Sequence, residues 1–189
     1  MSVTINGTTG ITLPSGSSAV GTSDSQTLTN KTIGNGYAGS TVTSGTAQSS
    51  TSGTSITFTG IPSWVKRITV MFNQVSTSST SNHILQIGSG SYQATGYVGV
   101  NTRSSTYFST SFILANGPVA AQLYSGTATL TLLGSNTWTY TGLYGSNSSD
   151  SGYIGMGTVT LGGTLDRLQI TTASGTDTFD AGSINILYE

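Results

Sequence analysis

The sequence predicts an all-β protein: a β-sandwich or jelly-roll-like knob over residues 51–189, preceded by an extended N-terminal segment over residues 1–50. Three observations carry this reading. After residue 51, apolar and polar residues alternate in short runs, as they do in strands with one buried face. Clusters of Gly, Ser, Asn and Asp separate the runs at intervals of a dozen or so residues, which suits hairpins and a two-sheet fold. No stretch sustains the 3.6-residue period of an amphipathic helix.

The first fifty residues contain only two charges, Asp24 and Lys31, and a thin scatter of apolar side chains, among them Ile5, Ile11, Leu13, Leu28 and Ile33. So little burial cannot offset the entropy of ordering a chain, so this segment needs a partner to become ordered. Asn6-Gly7 is a turn pair that can fold "VTI" back on "ITL" as a small hairpin.

From residue 51 the candidate strands follow in order. "SITFTG" points Ile56 and Phe58 to one face, and "RITVMFN" does the same with Ile68, Val70 and Phe72. Next come "HILQIG", "TGYVGVN", "TYFSTSFIL", "TATLTLLG", "TWTYTGLY", "YIGMGTVTL", "DRLQITT" and "SINILYE". "GPVAAQLYSG" is ambiguous. Pro118 suits a first helical turn, whereas Tyr124 and the threonines after it suit a strand.

Composition narrows the function. Charged residues make up 6% of the chain, with five basic against six acidic side chains, and Ser, Thr and Gly fill close to half of it. Nucleic-acid binders draw their affinity from clustered Lys and Arg, so no nucleic-acid partner is expected. No apolar run approaches the roughly 20 residues that span a bilayer, so no membrane insertion is expected. The opening "MSVTINGTTG" lacks the charged and apolar regions of a signal peptide, and export by that route is not expected. The chain has no cysteine, which suits assembly in a reducing cytoplasm.

Catalytic and metal chemistry find little to work with. The one histidine, His83, sits at a strand entry without a serine in a strand-turn-helix context. Asp177 and Asp180 form the closest carboxylate pair, and their spacing reads as a turn feeding the last strand rather than as an acid/base dyad. Asp166 and Arg167 read as polar contacts at a strand start. No acidic cluster has calcium-loop spacing, and no cofactor is expected. Trp138, Tyr140, Tyr144 and Tyr153, with Asp150 in the loop between them, form the one constellation suited to recognition. Trp138 and Tyr140 share one strand face while Thr137, Thr139 and Thr141 share the other. Such rings either stack on a receptor's sugar or protein surface, or belong to the core or a subunit interface.

"GIPSWVKRITVMFNQVS" at residues 60–76, the ending "FDAGSINILYE", and the phrases "SQTLTNKTI" and "VTINGTTGITLPSG" resemble tailed-bacteriophage fibre proteins with a C-terminal β-sandwich knob. The resemblance implies a non-enzymatic virion protein, assembled in the host bacterial cytoplasm as a homotrimer. It also implies an N-terminal segment that attaches to other virion proteins of tail, baseplate or capsid, for which Ile5, Ile11, Leu13, Leu28 and Ile33 are the expected contacts. A short tail fibre for host adsorption, binding a host-surface glycan or protein, is the leading expectation. A head fibre or capsid decoration protein shares the architecture, and a capsule-degrading enzyme is a more distant alternative. Within the first of these motifs, Pro62 is expected to end a strand and Trp64 to cap the core.

Overall fold

The computed structural model describes residues 42–102, 108–147 and 152–189, together with the backbone of residues 4–6 and 10–12. The chain divides into two compact units, Met1–Gly39 and Ser40–Glu189. In the first, strand β1 (Thr4–Asn6) pairs antiparallel with β2 (Gly10–Thr12), with Ile5 opposite Ile11. Ile5 thus folds back on Ile11 as expected, but Asn6 is itself a strand residue paired with Gly10, and residues 7–9 lie outside the described residues. Leu13, Leu28 and Ile33 lie outside the described residues.

The second unit holds thirteen further strands and, among the described residues, no helix. They are β3 (Thr43–Ser44), β4 (Gln48–Ser49), β5 (Ser55–Thr59), β6 (Arg67–Thr77), β7 (His83–Ser89), β8 (Ser91–Tyr92), β9 (Val98–Asn101) and β10 (Phe112–Ala115). The remainder are β11 (Tyr124–Gly134), β12 (Thr137–Ser146), β13 (Gly152–Thr160), β14 (Arg167–Thr172) and β15 (Phe179–Tyr188). They build two antiparallel sheets. The smaller runs β10-β7-β14-β5, with β8 beside β7, and the larger runs β3-β15-β6-β11-β12-β13-β9, with β4 on β15. The two sheets pack as a β-sandwich around one apolar core.

The alternation in the sequence becomes the burial pattern. Ile56, Phe58, Ile68, Val70, Phe72, Ala128, Leu130, Leu168, Ile170, Ile184 and Ile186 all point inward and are buried. Strands β11 and β12 meet at the two-residue turn Ser135–Asn136, where φ is 48° and 61°. Two consecutive positive φ values are the mark of a type I′ turn, whose twist matches that of the flanking strands.

Side-chain size on β12 and β13 is matched pair by pair. Trp138 faces Val159, Tyr140 faces Gly157, Gly142 faces Gly155, and Tyr144 faces Tyr153. A Cβ on Gly142 would overlap the Tyr140 hydroxyl, and one on Gly155 would come within 2.8 Å of the same ring. Glycine therefore lets Tyr140 lie flat along the sheet, stacked on Phe112 at 4.6 Å with 18° between the planes. Its hydroxyl donates to the Ile113 carbonyl at 3.2 Å, which ties the larger sheet to β10 of the smaller one.

A line of bulges crosses the larger sheet. Gln74 of β6 adopts φ 51°, and its N–H is received by the Ser125 hydroxyl of β11 at 3.0 Å. The register shifts beside it on both neighbours, between Tyr124 and Gly126 on β11 and around Ala181 on β15. Gly182 of β15 accommodates the bulge at φ 94°, where a Cβ would run into the carbonyls of Asn73 and Gln74. Bulges add local twist and bend to the strands that carry them.

Three expectations need correction. Residues 42–50 belong to the sandwich rather than to the N-terminal segment. Strands β3 and β4 pair with the edge of β15, and Ser50 is buried, its N–H bonded to the Gly182 carbonyl and its hydroxyl to that of Ala181. The segment is too polar to announce itself by composition, because what holds it is backbone pairing. Trp64 is 51% exposed and does not cap the core. Its neighbours Ile61 and Val65 do so, in a turn closed by the Val65 N–H on the Pro62 carbonyl. Among the described residues of "TYFSTSFIL", only the last three enter a strand, β10 (Phe112–Ala115), while Phe108 packs with Ile84 and Ile113 as a separate small cluster. The ambiguous "GPVAAQLYSG" resolves as a turn leading into β11 at Tyr124.

Deleting residues 1–39 should leave the melting temperature and strand content of the sandwich unchanged. Deleting residues 1–50 removes β3, β4 and the bonds of Ser50, and should cost roughly 2 kcal/mol, or about 4–8 °C in melting temperature. Equal melting temperatures for the two truncations would show that the 42–50 pairing contributes nothing.

Candidate functional site

The aromatic constellation on β12 and β13 lies in the core. Trp138, Tyr140, Tyr144 and Tyr153 are between 2% and 4% exposed. A ring that stacks on a sugar must offer a free face, and these faces are taken: Tyr140 by Phe112, Tyr144 by Tyr124 at 5.4 Å and 8°. The reading of these four as an exposed receptor surface is therefore corrected to its alternative, core packing. Period-2 alternation places Trp138 and Tyr140 on one face but does not say which face is wet, and Thr137, Thr139 and Thr141 take the solvent. Asp150 lies outside the described residues. The Trp138 indole N–H is buried without an acceptor, a cost of about 1–3 kcal/mol that ring packing must outweigh.

Tyr144 belongs to a polar-aromatic cluster whose centre, His83, is also fully buried. The His83 ring meets Tyr124 edge-on at 5.4 Å and Tyr144 at 5.8 Å, while Phe72 meets Tyr144 at 5.1 Å. Its Nδ1 lies 3.1 Å from the Tyr144 hydroxyl and its Nε2 lies 2.9 Å from Thr77 Oγ1. Thr77 donates its own proton to the Ser79 carbonyl at 3.3 Å. Its oxygen therefore accepts from Nε2–H, which leaves Nδ1 to accept from Tyr144. The neutral imidazole is satisfied on both sides. Burial lowers the His83 pKa to about 4, against the opposing pull of Asp177 and Asp180. Burial likewise drives the Tyr144 hydroxyl well above its ordinary value. This cluster joins β7 to the bulged ends of β6 and β11 and to the Tyr144 end of β12, and its role is structural.

Three of the described carboxylates, Asp166, Asp180 and Glu189, are engaged, whereas Asp177 Oδ2 is buried without a hydrogen-bond partner. Asp166 accepts from the Arg167 guanidinium at 2.8 Å and from the Gly90 N–H, and the Arg167 contact holds its pKa below the usual value. This is the strand-start contact expected of the pair. Asp180 accepts from the Ser76 hydroxyl, and Glu189 pairs with Arg67. Among the described residues, no three His, Cys, Asp or Glu side chains come together as a metal site.

The surface with recognition chemistry is the outer face of the larger sheet, which no single motif in the sequence marks. Three cross-strand rows compose it. The first joins Asn185, Met71, Thr127, Leu143 and Ile154. The second runs unbroken over six strands through Leu187, Thr69, Thr129, Thr141, Met156 and Val100. The third joins Arg67, Thr131, Thr139, Thr158 and Val98. Val98, Val100, Leu143, Ile154 and Met156 are 40–64% exposed and adjoin one another across β12, β13 and β9. Beyond the first row, Ser125, Gly145 and Gly152 present little or no side chain, which opens a shallow groove of about 530 Å³ walled by Leu143 and Ile154 and also touching Tyr144 and Tyr153. A weaker signal for this face was available in the sequence: the outward positions of "TWTYTGLY" and "YIGMGTVTL" mix Thr with Leu, Ile and Met, where a purely solvated face carries charges.

Comparison with protein-family models, with curated protein sequences and with solved structures returns no match for this chain.

Because the unfolded chain takes up the His83 proton near pH 6.5 and the folded one near 4, stability should be whole above pH 6.5 and fall as pH drops toward 4. The loss is about 3 kcal/mol, the free energy equivalent of that difference. Urea unfolding at pH 7.5, 5.5 and 4.5 should show this slope, and His83→Gln, less stable at pH 7.5, should flatten it. Equal slopes would place the acid sensitivity elsewhere.

Proposed function

We propose that this chain is a non-enzymatic structural protein of a tailed-phage virion, a short trimeric tail fibre anchored through its N-terminal segment. The observation that carries this reading is the division at Gly39/Ser40. A complete β-sandwich follows a unit whose apolar side chains are too few to order it alone, and that unit bears the fibre-like phrases "VTINGTTGITLPSG" and "SQTLTNKTI". Binding to the particle supplies the burial that the segment lacks. Asp166, Asp180 and Glu189 are each held by a protein partner, so none of these three is free to face a substrate in the way glycan cleavage requires of two carboxylates.

Phage carrying the chain without residues 1–39 should assemble particles that lack this protein while the truncated sandwich accumulates, folded, in the lysate. Immunogold labelling of wild-type particles should place it at the tail. Normal copy number of the truncated chain on purified virions would overturn attachment through the segment, and label on the capsid would make it a head fibre.

A further inference from the structure

The rows of the outer sheet face leave aliphatic side chains exposed. Val98, Val100, Leu143, Ile154 and Met156 form one contiguous aliphatic patch on rigid strands, with no charged side chain among or between them. Among the described residues, the nearest charge on this face is Arg67 of β6, two strands from Leu143 of β12, and it is already paired with Glu189. We propose that copies of this chain associate through this face, with the aliphatic patch on β9, β12 and β13 at the centre of the contact.

Size supports a subunit contact. Six strands at about 4.8 Å spacing and three rows at about 6.8 Å give a face of roughly 600 Å² in projection, close to the ~800 Å² per partner of a standard interface once side-chain relief is included. Chemistry selects a second copy as the occupant. A charged face repels its own duplicate and calls for a partner of opposite sign. A face of aliphatic side chains and threonines is complementary to itself, because apolar groups match apolar groups and each threonine hydroxyl both donates and accepts. The centre of the patch is apolar and its flank, in the rows through Thr129, Thr131, Thr139 and Thr141, is polar, which is the core-and-rim division of protein interfaces.

The proposal rests on the fibre reading and names the surface that holds its subunits together: around a three-fold axis one part of the face meets each neighbour, whereas a two-fold dimer through it would keep the face and overturn the trimer. Its test is independent of virion attachment. Full-length protein is examined by light scattering and sedimentation at micromolar concentration, beside the double variant Leu143→Lys with Met156→Lys. Both side chains point outward, so the variant should keep the circular dichroism and melting behaviour of a folded sandwich and run at monomer mass, where the wild type is an oligomer. Should the lysine variant fold poorly, Leu143→Thr with Met156→Thr, which repeats the residue type of neighbouring outward positions, should weaken association at least tenfold. An oligomer that persists undiminished in a folded variant overturns this face while leaving a self-associating fibre intact. A wild type that is monomeric at these concentrations overturns both the face and the trimer.

Discussion

Tyr140 lies flat across Gly142 and Gly155 with Phe112 stacked on its other side, and the rest of the sandwich depends on that contact. A tyrosine buries on the order of 150–250 Å² only if something leaves room for it. Here the room comes from glycine at two paired inward positions of adjacent strands, Gly142 and Gly155, while Gly157 lets the β9 backbone and the Phe112 ring approach β13. Glycine in a strand interior costs about 0.5–1 kcal/mol each in backbone freedom. The chain recovers this through a ring seated directly on the backbone and a hydroxyl that reaches the facing sheet at the Ile113 carbonyl. Asn101 reinforces the same point of the smaller sheet, its side-chain amide donating to the carbonyls of Ile113 and Leu114. Two sheets that share so little charge are therefore registered by hydrogen bonds from side chains of one to backbone carbonyls of the other.

The bulge at Gln74 governs the opposite end of the core. It shifts the register of β6 against both neighbours before Val75, Ser76 and Thr77. With it, Thr77 reaches His83, and Tyr124 and Tyr144 close over the imidazole. The result is a buried polar centre with every proton accounted for along Tyr144, His83, Thr77 and the Ser79 carbonyl. Such a network contributes specificity of packing, since only one tautomer and one set of rotamers satisfies it. It also explains why a histidine at a strand entry, a position that is usually wet, became one of the most buried residues of the protein.

All ten strand runs read from alternation contain a strand, because one-sided burial writes itself directly into period-2 patterning. What escaped reading follows from interactions that leave no pattern. Strands β3, β4 and β8 are two residues long and held by main-chain pairing, to which Thr43, Ser44, Gln48 and Ser49 contribute little by side-chain type. The orientation of β12 was undecidable locally: aromatic Trp138 and Tyr140 against threonine fits a core facing inward or a binding face turned out. The answer lay in β13, whose Gly155 and Gly157 leave space only on the side where the rings must sit. Trp64 was misread for a related reason, since Ile61 and Val65 on either side of it fill the cap and leave the larger ring outside, tilted against Tyr188 at 5.8 Å.

The scarcity of charge sets how this protein can meet any partner. Eleven charged side chains in 189 residues, of which Arg67, Glu189, Asp166 and Arg167 are already paired, leave no field to steer an encounter. Association then proceeds at the unsteered rates of about 10⁵–10⁶ M⁻¹s⁻¹ and depends little on salt, so affinity has to come from fit and slow release. Fit of that kind favours rigid surfaces, and sheet faces are more rigid than loops. The outer face of the larger sheet is anchored on its inner side by the tyrosine-on-glycine layer of β12 and β13. The strands whose glycines seat Tyr140 inside carry Leu143, Ile154 and Met156 in register outside, so the core layer and the exposed aliphatic patch are two sides of one pair of strands.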